Sequence, residues 1–177
     1  VNRSAVRYDL TMKQWLARFK YRGDEQLHVL FVEMLEYAFE RLLQDLSMTK
    51  DQIDAVTYVP LSREREEERG FNQAKMLAEG LAVKANLPLV HLLERTRHSE
   101  KQSYMSRKER MASLQNTFAV RSEELQRLGA VWINKRQQSL IQPKHKGKEN
   151  FPNAYSEPCL NIIIVDDIYT TGNTLNQ

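Results

Sequence analysis

The run Leu160-Asn161-Ile162-Ile163-Ile164-Val165 constrains the fold of this chain more than any other stretch, because it is short, β-branched and almost wholly apolar. Such a run suits a central strand of a parallel sheet, covered on both faces. Parallel strands need crossover connections, and helical patterns alternate with short buried strands along the rest of the chain. The expected fold class is therefore α/β. At the carboxyl end of the run stand Asp166 and Asp167, then Ile168-Tyr169, then the turn Thr170-Thr171-Gly172-Asn173-Thr174. Ligands of open parallel sheets bind in the crevice at such strand ends. The turn offers hydroxyls and closely spaced backbone N–H groups, and Gly172 permits a tight bend. A helix starting near Thr174 would add partial positive charge and complete a monophosphate cradle. Two adjacent carboxylates can accept hydrogen bonds from a vicinal diol, directly or through a hydrated Mg²⁺. A phosphate and a diol side by side describe a ribose 5-phosphate.

Upstream, Thr11 and Gln14 stand at capping-box spacing before Met12, Trp15, Leu16 and Phe19, which predicts a helix over 11–21. Leu27, Leu30, Phe31, Met34, Leu35, Ala38, Leu42, Leu43 and Leu46 give the strongest helical stripe, over 25–47. Ile53 to Val59 reads as a buried strand closed by Pro60. Ser62 to Gly70 reads as a charged loop leading to a helix over about 72–85, and Pro88 to Leu93 reads as a second strand. Ser106 and Glu109 open a short basic helix, and Phe118-Ala119-Val120 a short strand. Residues 134–158 lose apolar periodicity and are expected to be a mobile polar insertion.

Composition narrows the classes. Twenty-six Lys+Arg against 23 Asp+Glu leave a net charge of +3, too little for global charge alone to indicate nucleic-acid binding. One cysteine, Cys159, excludes an internal disulfide framework and a cysteine-ligated zinc site built by these residues. No apolar run approaches the roughly 20 residues of a membrane-spanning helix, so membrane insertion is not expected and the expected location is cytoplasmic. No Ser-His-Asp arrangement, Gly-x-Ser-x-Gly elbow or Walker lysine motif occurs. His28 and His91 are expected to be packed or partly exposed residues rather than ligands.

Residues 162–174 resemble the phosphoribosyl-diphosphate fingerprint of type I phosphoribosyltransferases across thirteen consecutive positions: four apolar, two acidic, two apolar, then Thr-Thr-Gly-x-Thr. Phe19-Lys20-Tyr21-Arg22-Gly23-Asp24 and Val59 to Ala74 are similar to signatures of the ComF family, late-competence proteins of bacterial DNA uptake and their relatives. Arg69-Gly70-Phe71-Asn72-Gln73-Ala74 and Glu100-Lys101-Gln102-Ser103 are the most characteristic stretches. The resemblance covers most of the chain outside 130–158. It implies a Rossmann-like parallel sheet of the type I phosphoribosyltransferase kind and a role in competence for transformation. Residues 1–50 would be an N-terminal helical segment lacking the family's zinc module. Residues 51–177 would be the phosphoribosyltransferase-like domain, with insertion 134–158 and a truncated C-terminus. The family continues beyond the position of Gln177 through a phosphate-binding helix and at least one further strand. Residues Ile162 to Val165 are thus expected to pair on one side only, and the chain alone to bind ribose phosphates poorly and to associate.

The resemblance assigns Asp166 and Asp167 to the ribose hydroxyls and, through water, to Mg²⁺. It assigns Thr170, Thr171, Gly172, Asn173 and Thr174 to the 5-phosphate, and Ser62 and Arg63 to the diphosphate. For Arg63 the plain alternative is a solvated loop paired with the neighbouring glutamates. If catalytic, the protein would displace diphosphate from ribose C1 with a nitrogen nucleophile. The rival reading is a non-enzymatic accessory that binds single-stranded DNA or a helicase-like partner; either form could be an oligomer.

Residues 95–110 carry Arg95, Arg97, Lys101, Arg107, Lys108 and Arg110 against Glu100 and Glu109, as a lid over diphosphate, a nucleic-acid contact or an exposed basic helix. If the cluster contacts DNA, reversing Lys101, Arg107 and Lys108 to Glu removes single-stranded DNA binding and flattens its salt dependence. Fluorescence anisotropy across a salt series measures this. Equal binding after the triple change assigns the cluster to a lid or a solvated face.

Overall fold

In a computed structural model the described residues are 1–22, 25–96, 117–141 and 159–167. The first two helices follow the apolar periodicity. Helix α1 spans Leu10–Arg22 and α2 spans Glu25–Leu46. The start of α1 is set by Asp9 rather than by the Thr11/Gln14 pair: the Met12 N–H donates to Asp9 Oδ1 at 2.8 Å, and the Lys13 N–H to the Asp9 carbonyl at 2.9 Å. A carboxylate accepts an orphan N–H and complements the helix dipole, so Asp9 takes the cap two positions ahead of Thr11.

A 3-10 turn at Lys50–Gln52 leads into β1, Ala55–Tyr58, all four residues of which are buried. The expected charged loop is instead a short helix, α3, over Arg63–Arg69. Arginine and glutamate are good helix formers, and Arg63 and Glu67 pair one turn apart at 2.9 Å. Gly70 then ends α3 at φ +78°, with its N–H on the Glu66 carbonyl at 2.8 Å. Helix α4 spans Gln73–Ala85 and is capped by Asn72, whose side chain accepts from the Lys75 N–H. The strand expected over 88–93 reduces to a parallel bridge between Leu89 and Val56, and β2 lies later, at Leu93–Arg95. Strand β3, Phe118–Val120, pairs with β2 antiparallel. Helix α5 then runs over Ser122–Ile141, where no helix was expected, and residues 134–141 of the expected polar insertion are helical. Glu123 and Glu124 in its first turn complement the helix dipole. The basic helix expected near 106–114 and the rest of the expected insertion lie outside the described residues.

Strand β4, Ile162–Val165, pairs with β1 in parallel, Ala55 opposite Ile162 and Tyr58 opposite Val165. The fold is thus mixed helix and strand around a small parallel sheet. Asn161, the one polar residue in the apolar run, fixes the register. Its backbone N–H donates to Asp54 Oδ2 at 2.8 Å, its side-chain amide to the Gln52 carbonyl at 2.9 Å, and its carbonyl accepts from the Asp54 N–H at 2.8 Å. Coverage of β4 is incomplete among the described residues: Val165 is 3% exposed but Ile164 is 40% exposed. No helix among these residues is long and apolar enough to cross a membrane.

One apolar cluster joins α1, α2, β1, α4 and the end of β4, through Phe19, Phe31, Val56, Leu77 and Val165 among others. Helices α2 and α4 meet at Gly80, where an added Cβ would overlap the Val32 methyl groups. Val32 is β-branched and buried, so it has no other rotamer to retreat into. Gly80→Ala is therefore expected to lower stability by about 1–3 kcal/mol through overpacking, against alanine's roughly 1 kcal/mol helix preference. Adding Val32→Ala should recover part of the loss. Denaturant unfolding of the three variants checks this, and an unchanged midpoint for Gly80→Ala refutes the close contact.

Candidate functional site

Parallel pairing delivers two chain segments to the same edge of the sheet. Strand β1 leaves through Val59-Pro60-Leu61-Ser62, and β4 leaves through Asp166-Asp167. The Val59 N–H still donates to the Val165 carbonyl at 3.0 Å, so the two exits diverge only past that bond. Sequence reasoning placed both segments at strand ends. The sheet makes those ends neighbours.

The acidic pair is held as a unit. The Asp167 N–H donates to Asp166 Oδ1 at 2.8 Å, which turns the Asp166 carboxyl back over its own strand end. Burial first, and then the charge of Asp167, push the Asp166 carboxyl up to about 7. Asp167 forms an ion pair with Lys20 of α1, and both side chains are less than one-fifth exposed. Lys20 lies 147 positions from Asp167 in the chain; it falls inside the Phe19–Asp24 signature, which gave it no role at the strand end.

Lys20 is placed by its neighbour. Phe19 is fully buried and meets Phe31 edge-on at 5.3 Å, Phe71 at 6.0 Å, and the His28 ring at 6.4 Å. His28 itself is a packed residue, its Nε2 3.1 Å from the Met76 carbonyl. Phe71 belongs to the stretch Arg69 to Ala74, so two sequence signatures far apart in the chain meet through a ring contact. Asn72 ties the same stretch to the sheet edge, its side-chain amide donating to the Val59 carbonyl at 3.3 Å. Three motifs read separately from the sequence therefore converge beside the carboxyl ends of β1 and β4.

Ser62 and Arg63 are not in the same depression as the acidic pair. They line a basin of about 410 Å³ with Tyr58, Lys75, His91 and Arg95. Asp166 and Asp167 line a smaller cavity of about 120 Å³ with Met12, Phe31 and Leu77. Ser62 is buried, and its hydroxyl does not cap α3. The Arg63 side chain is 84% exposed and paired with Glu67, which is the plain alternative stated for it above. Tyr58 and His91 stack at 5.2 Å in the basin wall, and the Arg121 guanidinium donates to His91 Nδ1 at 3.1 Å. Burial pushes the Tyr58 hydroxyl up from its ordinary value. Of the basic cluster 95–110 only Arg95 is described among its charged residues, its guanidinium 5.5 Å from the Phe118 ring centre. Thr170, Thr171, Gly172, Asn173 and Thr174 lie outside the described residues.

A divalent cation finds a compatible but incomplete donor set here. Among the described residues no group of three or more His, Cys, Asp or Glu side chains could hold a metal. Mg²⁺ does not need one, since it commonly takes one or two carboxylates and completes its octahedron with water and ligand phosphates. Asp166 and Asp167 supply that number of hard oxygen donors.

Three curated proteins are similar to this chain. Competence protein ComFC of Bacillus subtilis (strain 168) is 33% identical over 175 residues, which is 99% of this chain and 55% of that protein. Competence protein ComFC of Streptococcus pneumoniae is 30% identical over 176 residues, 99% of this chain and 59% of that protein. Competence protein F of Haemophilus influenzae is 30% identical over 125 residues, 70% and 42% of the respective chains. The chain thus spans about half the length of the curated relatives it matches. No family model and no solved structure matches it.

The raised Asp166 carboxyl makes stability depend on pH in a definite direction. The folded state holds this proton more tightly than the unfolded chain, whose aspartates titrate near 3.9. Its contribution is complete below about pH 4 and is lost as pH rises through about 7. Asp166→Asn is expected to be more stable than the parent at pH 8 by about 1–3 kcal/mol, with the difference vanishing toward pH 4. Thermal or denaturant unfolding at the two pH values measures it. A difference that does not vary with pH contradicts the buried, charge-crowded setting of Asp166.

Proposed function

This chain belongs to the ComF family of competence proteins, and from that premise we propose that it is a phosphoribosyl-diphosphate-binding protein of the type I phosphoribosyltransferase kind. The protein it represents would act in the cytoplasm, in competence for DNA uptake. The observation that carries the reading is the parallel pairing of β1 with β4. It brings the acidic pair and the Pro60–Arg63 segment out at the same end of the sheet, in separate depressions, where a ligand whose diol lies between two phosphate groups would reach from one to the other.

In this reading Asp166 and Asp167 accept hydrogen bonds from the ribose 2′ and 3′ hydroxyls. The Thr170–Thr174 turn binds the 5-phosphate, and Ser62 and Arg63 receive the diphosphate. Arg63 is free to do so only by exchanging Glu67 for a phosphate, a small change for an exposed one-turn pair. Mg²⁺ bound with the ligand supplies charge neutralisation of the leaving diphosphate. The transition state develops positive charge on the ribose ring, so the residues act by positioning and by a negative field beneath that ring. No residue on the page specifies the nitrogen acceptor.

Two measurements test the proposal. Incubation of the full-length protein with phosphoribosyl diphosphate, Mg²⁺ and a panel of nitrogen bases is expected to release diphosphate; binding without release makes the protein a ligand-binding module instead. In calorimetry with Mg²⁺, Asp167→Asn should weaken phosphoribosyl-diphosphate binding by about 1–3 kcal/mol, the scale of a charge-assisted hydrogen bond. Unchanged affinity would remove Asp167 from the ribose site.

A further inference from the structure

The acidic pair does not stand alone. Its two carboxylates are adjacent in sequence and joined by the Asp167 N–H to Asp166 Oδ1 bond, so their charges cannot separate. Like charges that close raise each other's energy, and they would repel a polyanionic sugar phosphate. The described structure answers with a cation from a distant helix: Lys20 pairs with Asp167, the lysine side chain 15% exposed and the aspartate 18%. Arg3 lines the same cavity but is committed to Asp45. We propose that Lys20 is the resident cation of this site, occupying on Asp167 the position a divalent ion would otherwise take and reducing the charge that an incoming phosphate ligand meets.

The geometry fixes Lys20 in this part. Phe19 is fully buried among Phe31, Phe71 and His28, so α1 cannot rotate about its axis without exposing that ring. The following residue is thereby held toward the sheet end. The Lys20 ammonium meets Asp167 Oδ2, while Asp166 Oδ1 is taken by the Asp167 N–H. A surface ion pair could be lost without consequence, whereas one this enclosed must be replaced by another cation when broken. For this reason Lys20 and a divalent ion compete for Asp167.

The inference deepens the proposed function, and its statement about the phosphate ligand rests on that reading; its statement about divalent ions does not. The first probe is Mg²⁺ alone, titrated calorimetrically into the parent chain, Lys20→Met and Lys20→Arg. Lys20→Met should bind Mg²⁺ roughly tenfold more tightly than the parent, the scale of one charge-assisted contact, and Lys20→Arg should behave as the parent. Lys20→Gln serves as a second neutral variant should the methionine protein not fold. Equal Mg²⁺ affinity in the neutral variant and the parent, or no Mg²⁺ binding in the neutral variant, overturns the proposal. The second probe is phosphoribosyl diphosphate over graded Mg²⁺, with the same substitutions made in the full-length protein. The neutral variant should need more Mg²⁺ for half-saturation than the parent, and Lys20→Arg should restore the parent value. A Mg²⁺ requirement identical in parent and neutral variant again overturns the role. Failure of every protein to bind phosphoribosyl diphosphate, with the Mg²⁺ difference present, refutes the ligand assignment and leaves Lys20 as the resident cation.

Discussion

Everything placed at this site depends on one pairing, that of β1 with β4. The two strands are separated by more than a hundred residues, and loop closure over such a span is entropically unfavourable. It is offset by burial of Val56, Tyr58 and Val165 and by three hydrogen bonds at Asn161, which clamp the amino ends of the two strands. A slip of one residue would turn Val165 outward and move Asp166 off the edge. The polar interruption in an otherwise apolar run is thus a register device.

The second constraint is electrostatic. A strand end that carries two carboxylates must manage their repulsion, and this one does so in two ways. Asp166 is driven toward its neutral form by burial and by its neighbour, and Asp167 is matched by Lys20. The unit that holds Lys20 also holds the loop after β1, since Phe19 touches Phe71 and Asn72 bonds the Val59 carbonyl. Helix packing and site charge are therefore one arrangement. A disturbance of the aromatic cluster around Phe19 would reach the acidic pair through α1.

The N-terminal helices share this core. Residues of α1 and α2 lie in the same apolar cluster as β1, α4 and Val165. Gly80 lets α2 approach α4 closely enough for Val32 to seat against the backbone. The cavity beside the acidic pair is floored by Met12, Leu16, Phe31 and Leu77, so its shape is set by helix-to-helix distance as much as by the sheet.

Local pattern alone determined α1, α2 and α4, the strands β1 and β4, the β3 segment and the acidic pair at a strand end, because periodicity and chain composition act over a few residues. It gave no helix over Ser122–Ile141. Local pattern misjudged what depends on competing local bonds. Asp9 took the cap expected of Thr11, arginine–glutamate spacing turned an expected loop into α3, and residues 134–141 belong to α5. The segment 88–92 kept only a bridge to Val56, because the Leu92 N–H turns to the Thr57 hydroxyl and the Leu92 carbonyl to the Arg121 N–H, and Leu93 begins β2. Only the tertiary structure decided that Lys20 faces Asp167, and that Ser62 and Arg63 open into a different depression from the acidic pair. Those are distances between side chains remote in sequence. No periodicity encodes them, and they exist only once buried aromatic rings and parallel strands have fixed where each helix stands.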